Sequence, residues 1–109
     1  MSAGTSRIEL LKGFITQRPT DPFPRYALAL EYKNAGRLEE ARETFAALMA
    51  AHPRYTPAYL HAGNTLVALG RPDEARAVYR AGIEACGPAG DAHTRGELEG
   101  ALSTLPGAG

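Results

Sequence analysis

Apolar residues along this chain recur at spacings of three and four rather than two, so each patterned segment reads as an amphipathic helix and none as a strand. Leu28, Tyr32 and Ala35 share one face of a helix that Gly36 ends, since glycine tolerates the left-handed cap conformation. A second helix carries Leu38, Ala41, Phe45 and Leu48 on one face and ends before Pro53. A third opens at Pro57, where a missing N–H costs nothing, builds its apolar side from Tyr59, Leu66 and Leu69, and ends at Gly70. The fourth starts at Pro72, with Asp73 and Glu74 favoured in its first turn by the helix dipole. Its core stripe is Ala75, Val78, Tyr79 and Ile83, and Gly87, Pro88 and Gly90 are expected to stop it.

A helix lies at each end of this set. Ser6 followed by Glu9 fits a capping box at the start of the first, whose apolar side is Ile8, Leu11, Phe14 and Ile15. Asp91 is a good N-cap for the last, which carries Leu98, Ala101, Leu102 and Leu105. Gly96 and Gly100 each weaken that helix by roughly 1 kcal/mol relative to alanine, so packing must hold it in place.

The segments repeat. Two copies of Gly-Arg-x-x-Glu-Ala-Arg begin at Gly36 and Gly70, 34 residues apart. The same offset links Ala29 to Gly63, Tyr32 to Leu66 and Phe45 to Tyr79, and reaches back from Phe45 to Leu11 and from Pro53 to Pro19. The expected organisation is one all-α domain. It has an N-terminal half-repeat helix over 5–19, repeats over 22–54 and 56–88, a capping helix over 91–105 and a frayed tail over 106–109. Solenoid repeats expose an apolar end face unless it is capped, and both flanking helices sit where caps are needed.

A 34-residue helix–turn–helix period resembles the tetratricopeptide repeat family. The first copy offers Arg25, Leu28-Ala29, Tyr32, Ala41, Phe45 and Pro53 for the family's pattern. The second offers Tyr59, Ala62-Gly63, Leu66, Ala75, Tyr79 and Gly87-Pro88. Arg25 departs from a usual large apolar residue and Ala62 from a usual leucine. Small residues at Ala29, Gly63, Ala41 and Ala75 let paired helices approach, while Phe45 and Tyr79 fill the gap toward the next helix. The last helix matches poorly and reads as a divergent cap. The resemblance implies antiparallel helical hairpins stacked as a short right-handed solenoid. It also implies a concave groove, lined by the first helix of each pair, that receives a peptide or partner helix. The matching positions are Phe23, Tyr26, Leu30, Lys33 and Asn34 in the first repeat and Leu60, His61, Asn64 and Val67 in the second, with Arg95 in register with His61. Tyr26, Leu30 and Leu60 suit apolar anchors; Lys33, Asn34, His61, Asn64 and Arg95 suit polar contacts. Some family members bind a chaperone's C-terminal carboxylate through Lys and Asn side chains over three repeats, and Lys33, Asn34 and Asn64 match that set in composition only.

Composition narrows the alternatives. Twelve basic residues balance twelve acidic ones, which argues against nucleic acid and against an anionic membrane surface as partners. No signal-peptide pattern or membrane-length apolar run is present, and the cytoplasm is the expected location. Cys86 is the only cysteine, so no internal disulfide forms, and without a CxxC partner it reads as a half-buried structural thiol. His52, His61 and His93 lack metal-ligand spacing. His93 and Glu97 share a helix face, but two ligands do not make a zinc site, and a solvated pair is the better reading. Neither a catalytic constellation nor a cofactor motif is apparent. Glu39 with Arg42, Arg80 with Glu84, and Arg95 with Glu99 read as surface pairs on a solvated convex face. The expected function is therefore protein or peptide binding through the concave groove. Self-assembly into a homo-oligomer is the alternative, and an enzyme or metal protein the remote one.

Overall fold

The computed structural model describes residues 3–106, with side chains from Arg7 onward. Six helices follow one another: α1 (Ala3–Gln17), α2 (Pro22–Asn34), α3 (Leu38–Ala51), α4 (Pro57–Ala68), α5 (Pro72–Ala89) and α6 (Ala92–Ser103). Among the described residues there is no strand. Each helix packs on the next, with α2·α3 and α4·α5 the most extensive pairs, and the stack measures 47 × 30 × 19 Å.

The turns follow from local chemistry. After α2 the chain closes a Schellman turn: Gly36 N–H donates to the Lys33 carbonyl at 3.0 Å and Arg37 N–H to the Tyr32 carbonyl at 2.9 Å. That turn places Gly36 at φ 77°, in the left-handed region that a side chain disfavours. Gly70 repeats the arrangement after α4, with Arg71 N–H donating to the Leu66 carbonyl. At the opposite ends, the Asp21 carboxylate accepts from Phe23 N–H and the Asp91 carboxylate from Thr94 N–H, each at 3.0 Å. These bonds satisfy amides that the first helical turn leaves unpaired.

Four expectations change. The backbone is already helical at Ala3, so Ser6 lies within α1 rather than at its start. Helix α5 continues through Gly87 and Pro88 and stops only at Gly90, whose φ is 67°. Pro88 sits in the last turn, where its missing N–H forfeits one bond to the Glu84 carbonyl and the helix has little left to lose. Phe14, expected in the core, is 40% exposed, because Ile8 and Leu11 already fill the side of α1 that meets the rest of the stack. Arg80 and Glu84 form no ion pair among the described residues, whereas Glu39 pairs with Arg42 and also reaches Arg71 of the next repeat at 3.3 Å.

The core is two connected clusters. Ile8, Leu11, Leu28, Ala29, Tyr32, Ala41, Phe45, Leu48, Ala58 and Ala62 join α1 to α4. Tyr59, Leu66, Ala75, Tyr79, Cys86, Leu98 and Leu105 join α4 to α6, and Met49 and Val78 touch both. Phe45 and Leu48 are fully buried, each worth about 1.5–3 kcal/mol relative to exposure. Close approach depends on missing side chains. A Cβ at Gly63 would lie 2.2 Å from the Tyr79 ring, and one at Gly82 would lie 2.5 Å from Tyr59 Cβ.

Candidate peptide-binding groove

The pattern of helix contacts gives the stack its curvature. The backbones of α2 and α4, and of α4 and α6, approach one another, while no Cα atoms of α1, α3 and α5 come within 8 Å of each other. The first helices of successive pairs therefore converge on the inner side and the second helices splay on the outer. The splay leaves a cleft of about 320 Å³ between α3 and α5, floored by Ala62 and Leu66 of α4.

On the inner side the rings of α2 and α4 meet. The Tyr26 ring lies 5.2 Å from that of Tyr55 and 5.7 Å from that of His61, which it meets edge-on. His61 in turn stacks on Phe45 at 6.3 Å and 11°. Such offsets suit aromatic quadrupoles. The Nδ1 atom of His61 is buried without a hydrogen-bond partner. Burial, and then the nearby Lys33 ammonium, hold the His61 imidazole below its usual pKa, with Glu97 acting the other way; His61 is neutral at pH 7. Burial, then Tyr55, then Glu97 raise the Tyr26 phenol.

The remaining candidates divide. Leu30 and Leu60 are half-buried on the same two helices, and Asn34 is exposed at the end of α2. Lys33 is half-buried, and burial lowers its pKa. Asn64 is engaged structurally: its Oδ1 accepts from the Tyr79 hydroxyl at 2.6 Å, leaving the amide N–H groups as donors. Val67 is exposed on α4. Phe23 instead borders a pocket of about 280 Å³ with Phe14, Arg18, Asp21 and Pro24, toward the α1 end.

Arg95 is not brought to this cluster. It pairs with Glu99 at 3.4 Å, and its charge acts on Cys86 at the end of α5. The α6 residue whose charge reaches Tyr26 and His61 is Glu97. The burial pattern explains the exchange. Thr94 and Leu98 take the buried places of Ala58 and Ala62, a spacing of 36 residues, which carries Glu97 to the place of His61. Helix α5 has 18 residues where α3 has 14, so the 34-residue register does not survive into α6. Tyr55 was also missed, because it lies between helices and no helical face could assign it. Its one sequence signal is an aromatic residue two positions before Pro57.

Little here suits covalent or metal chemistry. Cys86 is buried rather than half-buried; burial and then Asp91 raise its thiol, which disfavours the thiolate. His93 and Glu97 pair at 3.4 Å on an exposed surface. Among the described residues no three potential ligands converge, and no helix is long and apolar enough to cross a membrane.

Comparison with known proteins agrees with this geometry. A family described as tetratricopeptide repeat matches residues 32–85. A tetratricopeptide repeat domain protein from Salinibacter ruber, in its solution NMR structure, is 36% identical, with a TM-score of 0.72 and coverage of 76% of this chain and 84% of that one. The chain belongs to the tetratricopeptide repeat family. A crystal structure of the Salinibacter ruber domain superposes with a TM-score of 0.75 at 34% identity, covering 82% of this chain and all of that one. A protein from Bordetella parapertussis has a TM-score of 0.74 at 25% identity, covering 88% and 84% of the two chains. No match was found among curated proteins. Tetratricopeptide repeat proteins generally mediate protein–protein interactions and are typically non-catalytic scaffolds.

Proposed function

We propose that this tetratricopeptide repeat protein binds a peptide or partner segment across the inner face of α2, α4 and α6. The observation that carries the reading is the set Tyr26, Leu30, Leu60 and His61. These apolar and aromatic side chains stay partly accessible where the first helices converge, with Tyr26, Leu30 and Leu60 resting on the core and His61 on Phe45. Binding energy concentrates in a few such anchors, with aromatics over-represented. Lys33, Asn34 and the Asn64 amide donors supply polar contacts at one end. Arg95, which pairs with Glu99, is left out of this set.

The test is capture from native extract by the wild type and by a Tyr26→Ala/Leu60→Ala variant, side by side, read by mass spectrometry. Circular dichroism checks that the variant remains folded. A protein retained by the wild type and lost by the variant supports the groove. Matching lists would refute it.

A second reading, self-association, is supported at the α1 end. Leu10 is 58% exposed, Phe14 40% and Phe23 62%. On the wheel of α1, Leu10, Gly13, Phe14 and Gln17 form an uncharged strip opposite the core face, with Glu9 and Lys12 turned away. Sedimentation equilibrium decides the matter: a mass that rises with concentration, and falls back in Phe14→Asp, supports it, and a strict monomer at high concentration removes it.

A further inference from the structure

Charge along the inner face is polarised. Of the lysine and arginine side chains, Lys33 is the one that is partly buried yet makes no ion pair or hydrogen bond among the described residues. The other partly buried members are all engaged. Arg25 donates to the Pro19 carbonyl, Arg42 pairs with Glu39, Arg71 with Glu39 and Glu74, and Arg76 with Asp73. A partly desolvated ammonium with no counter-ion favours an incoming anion. Two turns earlier on α2 the surroundings reverse. Tyr26 lies against Tyr55 and feels the Glu97 carboxylate, and Tyr55 feels Asp21. Two tyrosine rings set 58° apart beside carboxylates favour a cation. Tyr26 and Lys33 are seven helical residues apart, so the two ends are separated by about 10 Å along α2.

Taking the groove as the binding face, we infer that its occupant is a dipolar internal segment, with a basic side chain at the Tyr26–Tyr55–Glu97 end and an acidic side chain at Lys33. His61 lies between the two ends, uncharged at neutral pH, and Leu30 gives the segment an apolar middle. A partner charged in one sense throughout would meet repulsion at one end, so the polarity also selects against such partners.

The probe is a blocked hexapeptide, acetyl-Gly-Arg-Pro-Pro-Glu-Gly-amide, titrated into the isotope-labelled protein and followed by amide shifts near neutral pH. A polyproline helix repeats every three residues with a rise of about 3.1 Å, so the Arg and Glu project from one side about 9 Å apart. Controls replace Arg, Glu or both by Gln, and a further peptide supplies its anion as a free C-terminal carboxylate. The dipolar peptide should shift Tyr26, Leu30, Lys33 and His61 and bind about fivefold or more tighter than the doubly neutral one. Each partly exposed pair contributes about two- to fivefold. In Glu97→Gln the advantage of Arg over Gln in the peptide should fall by the about two- to fivefold of one pair while that of Glu persists; in Lys33→Gln the advantage of Glu over Gln should vanish while that of Arg persists.

Equal binding of the neutral and dipolar peptides at the same amides would overturn the polarity while leaving the groove in place. An advantage that both variants retain would overturn the assignment of Glu97 and Lys33. Preference for the free-carboxylate peptide would overturn an internal segment. No shift at any groove amide would overturn the inference, and the Tyr26→Ala/Leu60→Ala capture experiment then judges the groove independently.

Discussion

Replacing Gly63 by alanine should destabilise the protein, although alanine is the better helix former. A helix-interior Gly→Ala change ordinarily gains up to about 1 kcal/mol. Here the new Cβ would lie 2.2, 2.6 and 2.8 Å from three carbons of the Tyr79 ring. Carbon atoms pack at about 3.5–4.0 Å, so the ring must retreat by more than about 1 Å. It is poorly placed to do so: Tyr79 is buried, and its hydroxyl is tied to Asn64, the residue next to the substitution. Overpacking costs about 1–3 kcal/mol and a broken hydrogen bond about 0.5–1.5 kcal/mol. Set against the gain in propensity, the net loss is about 1–3 kcal/mol. At about 4–8 °C per kcal/mol for a domain near this size, Tm should fall by roughly 5–20 °C. Gly96→Ala is the internal control, since nothing lies within 4 Å of its added Cβ, and it should hold or raise Tm. Adding Tyr79→Leu to Gly63→Ala should recover part of the loss. Thermal and urea melts followed by circular dichroism measure all four proteins. A Gly63→Ala variant that melts at or above the wild type would refute the argument that this glycine is required for close helix packing.

Two further outcomes follow from the C-terminal part of the stack. Leu98 is fully buried against the helix carrying Gly82, so Leu98→Ala should cost about 2–5 kcal/mol and shift the urea midpoint accordingly; an unchanged midpoint would show that α6 is not part of the cooperative unit. The Asp91 carboxylate accepts from the Thr56 hydroxyl and from Thr94 N–H, and these bonds lower its pKa from 3.8 to about 2. Between those values the unfolded chain binds the proton and the folded one does not, so the stabilisation is present above pH ~4 and lost as pH falls toward ~2. Urea midpoints measured across that window should decline less steeply in Asp91→Ala than in the wild type, and parallel profiles would contradict the assignment.

Much of the architecture was legible because its signals are local. A glycine at positive φ, a proline in a first turn and a carboxylate at an N-cap act on amides a few residues away, so Gly36, Gly70, Pro57, Pro72 and Asp91 mark their boundaries without knowledge of the rest. The 34-residue period adds the one long-range fact that sequence carries well, that like segments pack alike, and it matches Phe45 with Tyr79 as buried aromatics. Where local signals conflict they mislead: Pro88 reads as a stop, but a last turn tolerates it and Gly90 ends the helix.

The site is a different kind of object. Its members come from α2, the α3–α4 connection, α4 and α6, and nothing in their separate neighbourhoods brings them together. Each residue along a helix turns by about 100°, so a two-residue slip rotates a face by about 200°. The longer α5 and the seating of Leu98 impose that slip on α6, which places Glu97 beside the Tyr26 and His61 rings and turns Arg95 toward the end of α5. Residue pattern alone determined that this chain forms stacked helical hairpins and where nearly all of them begin and end, because each decision is settled within a few residues. Tertiary packing alone decided which charges share the inner face and that Phe14 points outward, because the rotation of a helix about its own axis is set by the side chains it rests on.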